Sequence, residues 1–165
     1  MMNFISSDSL FFQPFFFSLY TFFPVNMKTA LAITRTLSRR YYPLHPEEQE
    51  ALASIMECRR VDKGELLLEE GRIARHFHYV ESGMLRQYYY KNGHDITEHF
   101  SCEDDLVFCI ISLFRQEPTR LMIEAIEPTV VYDIPYTGLQ ELFVSYSSIA
   151  QLYKKISVSY THLRA

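Results

Sequence analysis

Apolar and polar residues alternate in short runs between residues 62 and 135, and turn residues separate the runs. Phe77 and Tyr79 share one face of their run, and Leu85, Gln87 and Tyr89 share one face of the next. A period of two residues is typical of β-strands. Several such strands in succession predict an antiparallel β-roll or jelly roll. The predicted fold class is therefore mainly β with flanking α-helices.

Two turns in this region predict hairpins. Asn92-Gly93 lies between two strand-like runs, and an Asn-Gly pair is the strongest short-range hairpin signal. Glu127-Pro128 separates the runs 122–125 and 129–134, which we interpret as a last hairpin.

A short helix is predicted before the strands. Pro46 suits the first helical position, and the acidic residues after it suit the positive end of the helix dipole. Leu52, Ile55 and Met56 give this helix an apolar face. We expect that face to pack at the mouth of the barrel.

A longer helical pattern follows Pro135, with a break predicted near residues 145–148. Its apolar positions are Leu139, Leu142, Phe143, Ile149, Leu152, Tyr153 and Ile156. Two interpretations remain open. The helix either covers the core of its own domain or begins a dimerisation helix.

Composition narrows the class of protein. The chain has 165 residues and a net charge of −4, which argues against a stand-alone nucleic-acid binder. We interpret the basic cluster at Arg35, Arg39 and Arg40 as a solvated helix face. The three cysteines form no C-x-x-C pair, which argues against a disulfide framework or a zinc site. We predict a cytoplasmic protein with no cofactor, no bound metal and no membrane span.

The two ends of the chain differ from the middle. Residues 1–26 are rich in phenylalanine, and no Lys or Arg precedes Lys28, so a signal peptide would lack its basic start. We interpret 1–26 as a non-native or disordered extension. A cleaved or anchoring segment and a packing arm are the alternatives. The predicted domain spans 27–136 and the C-terminal helix 137–157. Residues 158–165 resemble a translated sequencing adapter and are expected to be non-native.

Three motifs carry a family resemblance by their order and spacing. They are Lys63-Gly64-Glu65 with Gly71, then Tyr79-Val80-Glu81-Ser82-Gly83, then the run 123–129. Over residues 46–156 they resemble the sensor domain of the Crp/Fnr transcription regulators. The resemblance implies a cyclic nucleotide-binding-like β-roll and a long helix that pairs two subunits. A helix-turn-helix DNA-binding domain would follow.

This resemblance predicts an effector-sensing domain rather than an enzyme. Only nine residues follow Ile156, too few for a helix-turn-helix, so we expect the chain to be a fragment. The expected partners are a small-molecule effector and a second copy of the full-length protein, joined through the C-terminal helix. DNA would be reached only through the missing domain.

The family's nucleotide binders hold their ligand in a phosphate-binding cassette. A Gly-Glu pair begins a short helix and contacts the ribose, and an Arg-Ser/Thr-Ala step holds the cyclic phosphate. In this sequence the Gly-Glu positions fall on Phe108 and Cys109. Phenylalanine prevents the close backbone approach that glycine allows, and cysteine has no carboxylate for the ribose.

The arginine step has two possible registers. Counting forward from Leu113-Phe114 places Arg120 at the arginine position, and counting back from Ile123 places Thr119 there. Either Leu121 or Met122 then replaces the alanine. We expect the domain not to bind cyclic AMP. Its pocket either holds another effector or is filled by its own side chains. The predicted ligand-binding residues are Cys109, Ser112, Thr119 and Arg120.

Histidines on one strand offer an enzymatic alternative. His76 and His78 with Glu81 loosely resemble the metal site of the cupins, which also use a β-roll. His99 could supply a further ligand. We interpret the acidic run 103–105 as solvated turn or helix-start residues.

Overall fold

The structure is a computed structural model, and it describes residues 27–162. Our interpretations of residues 1–26 therefore lie outside the described residues. In chain order the helices are α1 (Met27–Arg40), α2 (Pro46–Ser54), α3 (Ile110–Arg115), α4 (Tyr136–Ser145) and α5 (Ser147–His162). The strands are β1 (Glu57–Val61), β2 (Leu66–Leu68), β3 (His76–Ser82), β4 (Leu85–Lys91), β5 (His94–Ser101), β6 (Leu106–Val107), β7 (Met122–Ala125) and β8 (Thr129–Pro135).

The strands form two four-stranded antiparallel sheets. We call them sheet A, in the order β1-β8-β3-β6, and sheet B, in the order β2-β7-β4-β5. Pairs within each sheet are antiparallel. The predicted fold class, an antiparallel β-roll with flanking helices, is confirmed.

One predicted hairpin is confirmed and the other is wrong. Lys91 pairs with His94 across the turn at Asn92 and Gly93, whose φ angles are 53° and 80°. By contrast, β7 and β8 lie in different sheets. β8 already pairs with β1 and β3 along its two edges, and β7 pairs with β2 and β4. Neither strand has a free edge for the other, so residues 126–128 carry the chain from one sheet to the other.

The helices cover one face of sheet A. Phe77 of β3 contacts Tyr153 of α5 at a ring-centroid distance of 5.0 Å and Tyr136 of α4 at 6.5 Å. Tyr132 of β8 is buried in the same hydrophobic core as Ala30 and Ile33 of α1. The main contacts of α2 are with α1, α4 and α5, in the helical layer rather than at the mouth of the barrel.

The C-terminal helical pattern is broken where the sequence predicts. α4 ends at Ser145 and α5 begins at Ser147. The apolar face of α5 packs into the core of its own domain through Ile149, Leu152, Tyr153 and Ile156. α5 continues to His162, beyond the predicted boundary at residue 157. The suggested foreign origin of residues 158–165 stays a prediction. No helix among residues 27–162 is long and apolar enough to cross a membrane.

Candidate functional site

The predicted binding residues lie in the segment between β6 and β7, which we call the cassette (residues 108–121). Cys109 precedes the first residue of α3. Cys109, Ser112 and Thr119 are buried, whereas Arg120 is exposed. The Cys109 Sγ and the Thr119 Oγ1 are 3.1 Å apart and share a hydrogen bond. The structure thus brings three of the four residues together.

The two buried hydroxyls bind protein atoms. Ser112 Oγ accepts a hydrogen bond from the backbone N–H of Ala74 at 2.8 Å and donates one to the carbonyl of Glu117 at 2.6 Å. Thr119 Oγ1 accepts one from the N–H of Leu121 at 2.9 Å. The backbone of Thr119 also pairs with the loop between β2 and β3, through Gly71 and Arg72. These bonds fix the cassette against that loop.

Arg120 lies apart from this group. Its side chain is solvent-exposed and makes no hydrogen bond or ion pair with the residues the structure describes. The register that assigns Thr119 to the arginine position puts a buried side chain there. The other register puts the exposed Arg120 there. Arg120 therefore extends into solvent.

Sequence reasoning missed Gln87, which is the polar centre of the domain interior. Gln87 is only 1% exposed. Its Nε2 donates to the backbone carbonyl of Phe108 at 3.1 Å, and its Oε1 accepts from the hydroxyl of Tyr160 at 2.6 Å. The sequence signal for this role was the position of Gln87 on the same strand face as Leu85. A side-chain amide on a buried face needs hydrogen-bond partners.

Phe108 fills the space beside the cassette. Its ring is fully buried, 4.5 Å from the Phe77 ring and stacked at 4.2 Å on the Tyr160 ring. A neighbouring cavity, lined partly by His99 and Tyr160, holds only about 40 Å³. This volume has room for little more than water. The interior next to Phe108 is therefore packed with the protein's own side chains.

A larger cavity of about 290 Å³ lies between the two sheets. Its lining includes strand β2, the loop 69–75, both histidines of β3, and Ile123 of sheet B. Of the predicted binding residues, Cys109 lines it. The cavity therefore touches the cassette from the side of the β2–β3 loop.

A buried charged network adjoins this cavity. His78 Nδ1 lies 2.6 Å from Asp133 Oδ1, and Arg59 Nε lies 3.1 Å from Asp133 Oδ2. Burial alone would raise the pKa of Asp133, but His78, and after it Arg59, outweigh burial and leave that pKa lowered. Burial lowers the pKa of His76, the other histidine of this strand. Asp133 is thus held as an anion in the folded state.

The cupin-like alternative is not favoured by this geometry. His76 and His78 have ring centroids 6.1 Å apart, but His78 is already bound to Asp133. Glu81 is exposed and acts electrostatically on Cys58 and Tyr132, toward the helix-covered face of sheet A. Among residues 27–162 no group of three or more His, Cys, Asp or Glu side chains could hold a metal ion.

The acidic run 103–105 has a structural role. Glu103 accepts a hydrogen bond from the N–H of Gly83 at 3.1 Å, and Asp105 accepts one from the N–H of Cys102 at 3.1 Å. Asp104 accepts one from the hydroxyl of Tyr79. Burial, and after it this bond, raises the pKa of Tyr79. The run lies in the β5–β6 turn with Glu103 and Asp104 exposed, as the sequence predicts, and these bonds tie the turn to its neighbours.

Comparison with known proteins identifies the family. The profile of the cyclic nucleotide-binding domain matches residues 58–146. The chain belongs to the cyclic nucleotide-binding domain family. No curated protein sequence matches it.

Solved structures share the fold at low sequence identity. A cyclic nucleotide-binding domain from Methylobacillus flagellatus KT has a TM-score of 0.72 and 16% identity, with 84% of this chain and 79% of that chain covered. The sensor domain of the transcriptional regulator DNR from Pseudomonas aeruginosa has a TM-score of 0.61 and 19% identity, covering 76% and 91%. The Thermus thermophilus catabolite activator protein has a TM-score of 0.64 and 19% identity; 78% of this chain is covered, but only 58% of that protein.

Proposed function

We propose that this chain is the non-catalytic, effector-sensing domain of a Crp/Fnr-type transcription regulator in the cytoplasm, and that its signal is not cyclic AMP. Two of the structural neighbours, the catabolite activator protein and the DNR sensor domain, support the regulator class. In the full-length protein the C-terminal helix would pair two subunits. DNA would be bound through a further domain of that protein.

The observation that carries the proposal is the burial of Phe108. Its ring, fully buried, stands where the family's nucleotide binders have a glycine, and the Gln87 amide holds its backbone carbonyl. That carbonyl is therefore tied to Gln87 of β4, and a buried phenyl ring takes the position where a glycine would let a phosphate approach the backbone closely. Arg120, the candidate phosphate ligand, stays exposed and apart.

The same residues provide a route from the cassette to the output helix. Phe108 packs on Phe77, and Phe77 meets Tyr153 of α5 edge-on at 5.0 Å. A ligand that displaces the cassette in one state of the domain would change this packing and so the position of α5. Such a signal requires that the ligand bind the two states with different affinity.

Calorimetric titration of the chain with cyclic AMP and with cyclic GMP tests the nucleotide part of the proposal. We expect no binding heat and no shift of the melting temperature with either nucleotide. Micromolar binding that Arg120→Ala abolishes would overturn it, since Arg120 would then hold the phosphate. Arg115→Ala, at another exposed arginine of the cassette, is the matched control.

A further inference from the structure

Basic side chains contribute to the lining of the cavity between the sheets. Arg72, Arg75, His76 and His78 line it, and Glu69 is the only acidic residue among its described lining residues. The closest approach of Glu69 to Arg72 is long, 3.8 Å, and both side chains are mostly exposed. Such a pair is weak. The arginines therefore keep most of their capacity to bind an anion.

His78 is held in one orientation toward this cavity. Its Nδ1 is engaged by Asp133 at 2.6 Å. No other side-chain hydrogen bond of His78 is formed with residues 27–162, so its Nε2 is the nitrogen left for the cavity. Arg59 Nε lies 3.1 Å from the second oxygen of Asp133, so the carboxylate has a basic neighbour at each oxygen.

The rest of the cavity lining is mostly apolar. Leu66, Leu68, Ala74 and Ile123 line it, and the last three are buried. The volume of about 290 Å³ equals the share of roughly ten water molecules at about 30 Å³ each. This space suits a compact molecule with one anionic end. Pockets of this kind bind through an apolar wall and a few well-placed polar groups.

We propose that this cavity binds a small organic acid, a carboxylate on a short aliphatic chain. Its carboxylate would lie toward Arg75, His76 and His78, and its chain would lie along Leu66 and Leu68. That this ligand is the effector rests on the proposed function. The cavity touches the cassette at Cys109, and the N–H of Ala74 in its lining is bonded to Ser112, so an occupant would press on the cassette directly.

Calorimetry on the whole chain with hexanoate, 1-hexanol and hexylamine tests the proposal. The three probes share an aliphatic chain and differ in charge. We expect hexanoate to bind and the neutral and cationic probes not to. Arg75→Gln and His76→Gln should each weaken hexanoate binding about tenfold, the loss of roughly one charge-assisted hydrogen bond. Arg115→Gln, which removes an exposed arginine outside the cavity, should leave the affinity unchanged.

Thermal melts of each variant establish that it is folded before titration. Equal affinity for hexanoate and 1-hexanol, or full hexanoate affinity in both Arg75→Gln and His76→Gln, would overturn the proposal. If neither hexanoate nor a cyclic nucleotide binds, the carboxylate site is wrong and the proposed function stands. If cyclic AMP binds and Arg120→Ala abolishes that binding while hexanoate still depends on Arg75, the proposed function is wrong and the cavity site stands.

Discussion

The amide of Gln87 donates a hydrogen bond to the backbone carbonyl of Phe108 at 3.1 Å and so connects sheet B to the start of the cassette. Both residues are almost completely buried. The other end of the amide accepts a hydrogen bond from Tyr160. A buried glutamine with both ends paired is tolerated in a core, whereas an unpaired partner is costly.

Gln87→Leu should therefore destabilise the domain, although leucine is the more apolar residue. The change leaves the Phe108 carbonyl and the Tyr160 hydroxyl without this partner, and we expect a loss of about 2 kcal/mol in the free energy of unfolding. Urea denaturation measures it. Gln151→Leu, at an exposed position of α5, is the control and should change stability by less than about 0.5 kcal/mol. Equal stability of the two variants would contradict a structural role for the amide.

Gly83 is required by both its backbone angle and its surroundings. Its φ is +91°, and a Cβ there would lie 2.6 Å from Thr129 Oγ1 and 2.8 Å from the carbonyl of Pro128. Gly93 has a φ of +80° with no atom within 4 Å of the added Cβ. Gly93→Ala should cost about 1 kcal/mol from backbone strain. Gly83→Ala should cost about 1–3 kcal/mol more, from overpacking.

Thermal or urea unfolding of the two alanine variants separates the two effects. Strain is common to both glycines, so the difference between the variants reports the close approach of β8 to the turn at Gly83. The same loss in both would mean that Thr129 and Pro128 move aside without cost.

Asp133 should make the stability of the domain depend on pH in the acid range. Because its pKa is lowered in the folded state, the carboxylate stabilises the fold above the unfolded-state pKa of about 4. That stabilisation is lost as the pH falls through the folded-state pKa. Asp133→Asn should cost about 3 kcal/mol at pH 7, since His78 and Arg59 lose a buried anion. The cost should shrink toward pH 2.

Urea denaturation of both proteins from pH 7 to pH 2 measures this dependence. Asp62→Asn, which changes an exposed carboxyl, is the control. A constant difference between wild type and Asp133→Asn at every pH would show that the carboxylate is not held as an anion in the folded state.

The local pattern was sufficient for six of the eight strands, all but β1 and β6, but not for their partners. The Asn92-Gly93 turn determines its hairpin because the required backbone angles lie within two residues. The sheet to which β7 and β8 belong depends on which edges β1 to β4 have already occupied, and no local signal carries that information. The hairpin predicted across Glu127-Pro128 was wrong for this reason.

The side-chain contacts inside the site were harder to predict than the strands around it. The alternation placed His76 and His78 on one face, but the partner of His78 is Asp133, 55 residues away in sequence. The contact of Gln87 with Phe108 spans 21 residues and joins a strand to a loop. The residue types of the cassette were enough to predict a departure from the nucleotide binders. Which side chains fill the interior beside Phe108 follows only from the folded structure.

Tyr153 and Tyr79 are both buried tyrosines, but only the Tyr79 hydroxyl has a hydrogen-bond partner among residues 27–162. The Tyr153 hydroxyl has no hydrogen-bond partner among residues 27–162, and its burial raises its pKa. The Tyr79 hydroxyl donates to Asp104. Tyr153→Phe should thus raise the free energy of unfolding by about 1 kcal/mol, whereas Tyr79→Phe should lower it by about 1–2 kcal/mol. Urea denaturation of the two variants at pH 7 measures both changes. A loss in Tyr153→Phe as large as that in Tyr79→Phe would mean that an ordered water binds the Tyr153 hydroxyl, since only a lost hydrogen bond produces that cost.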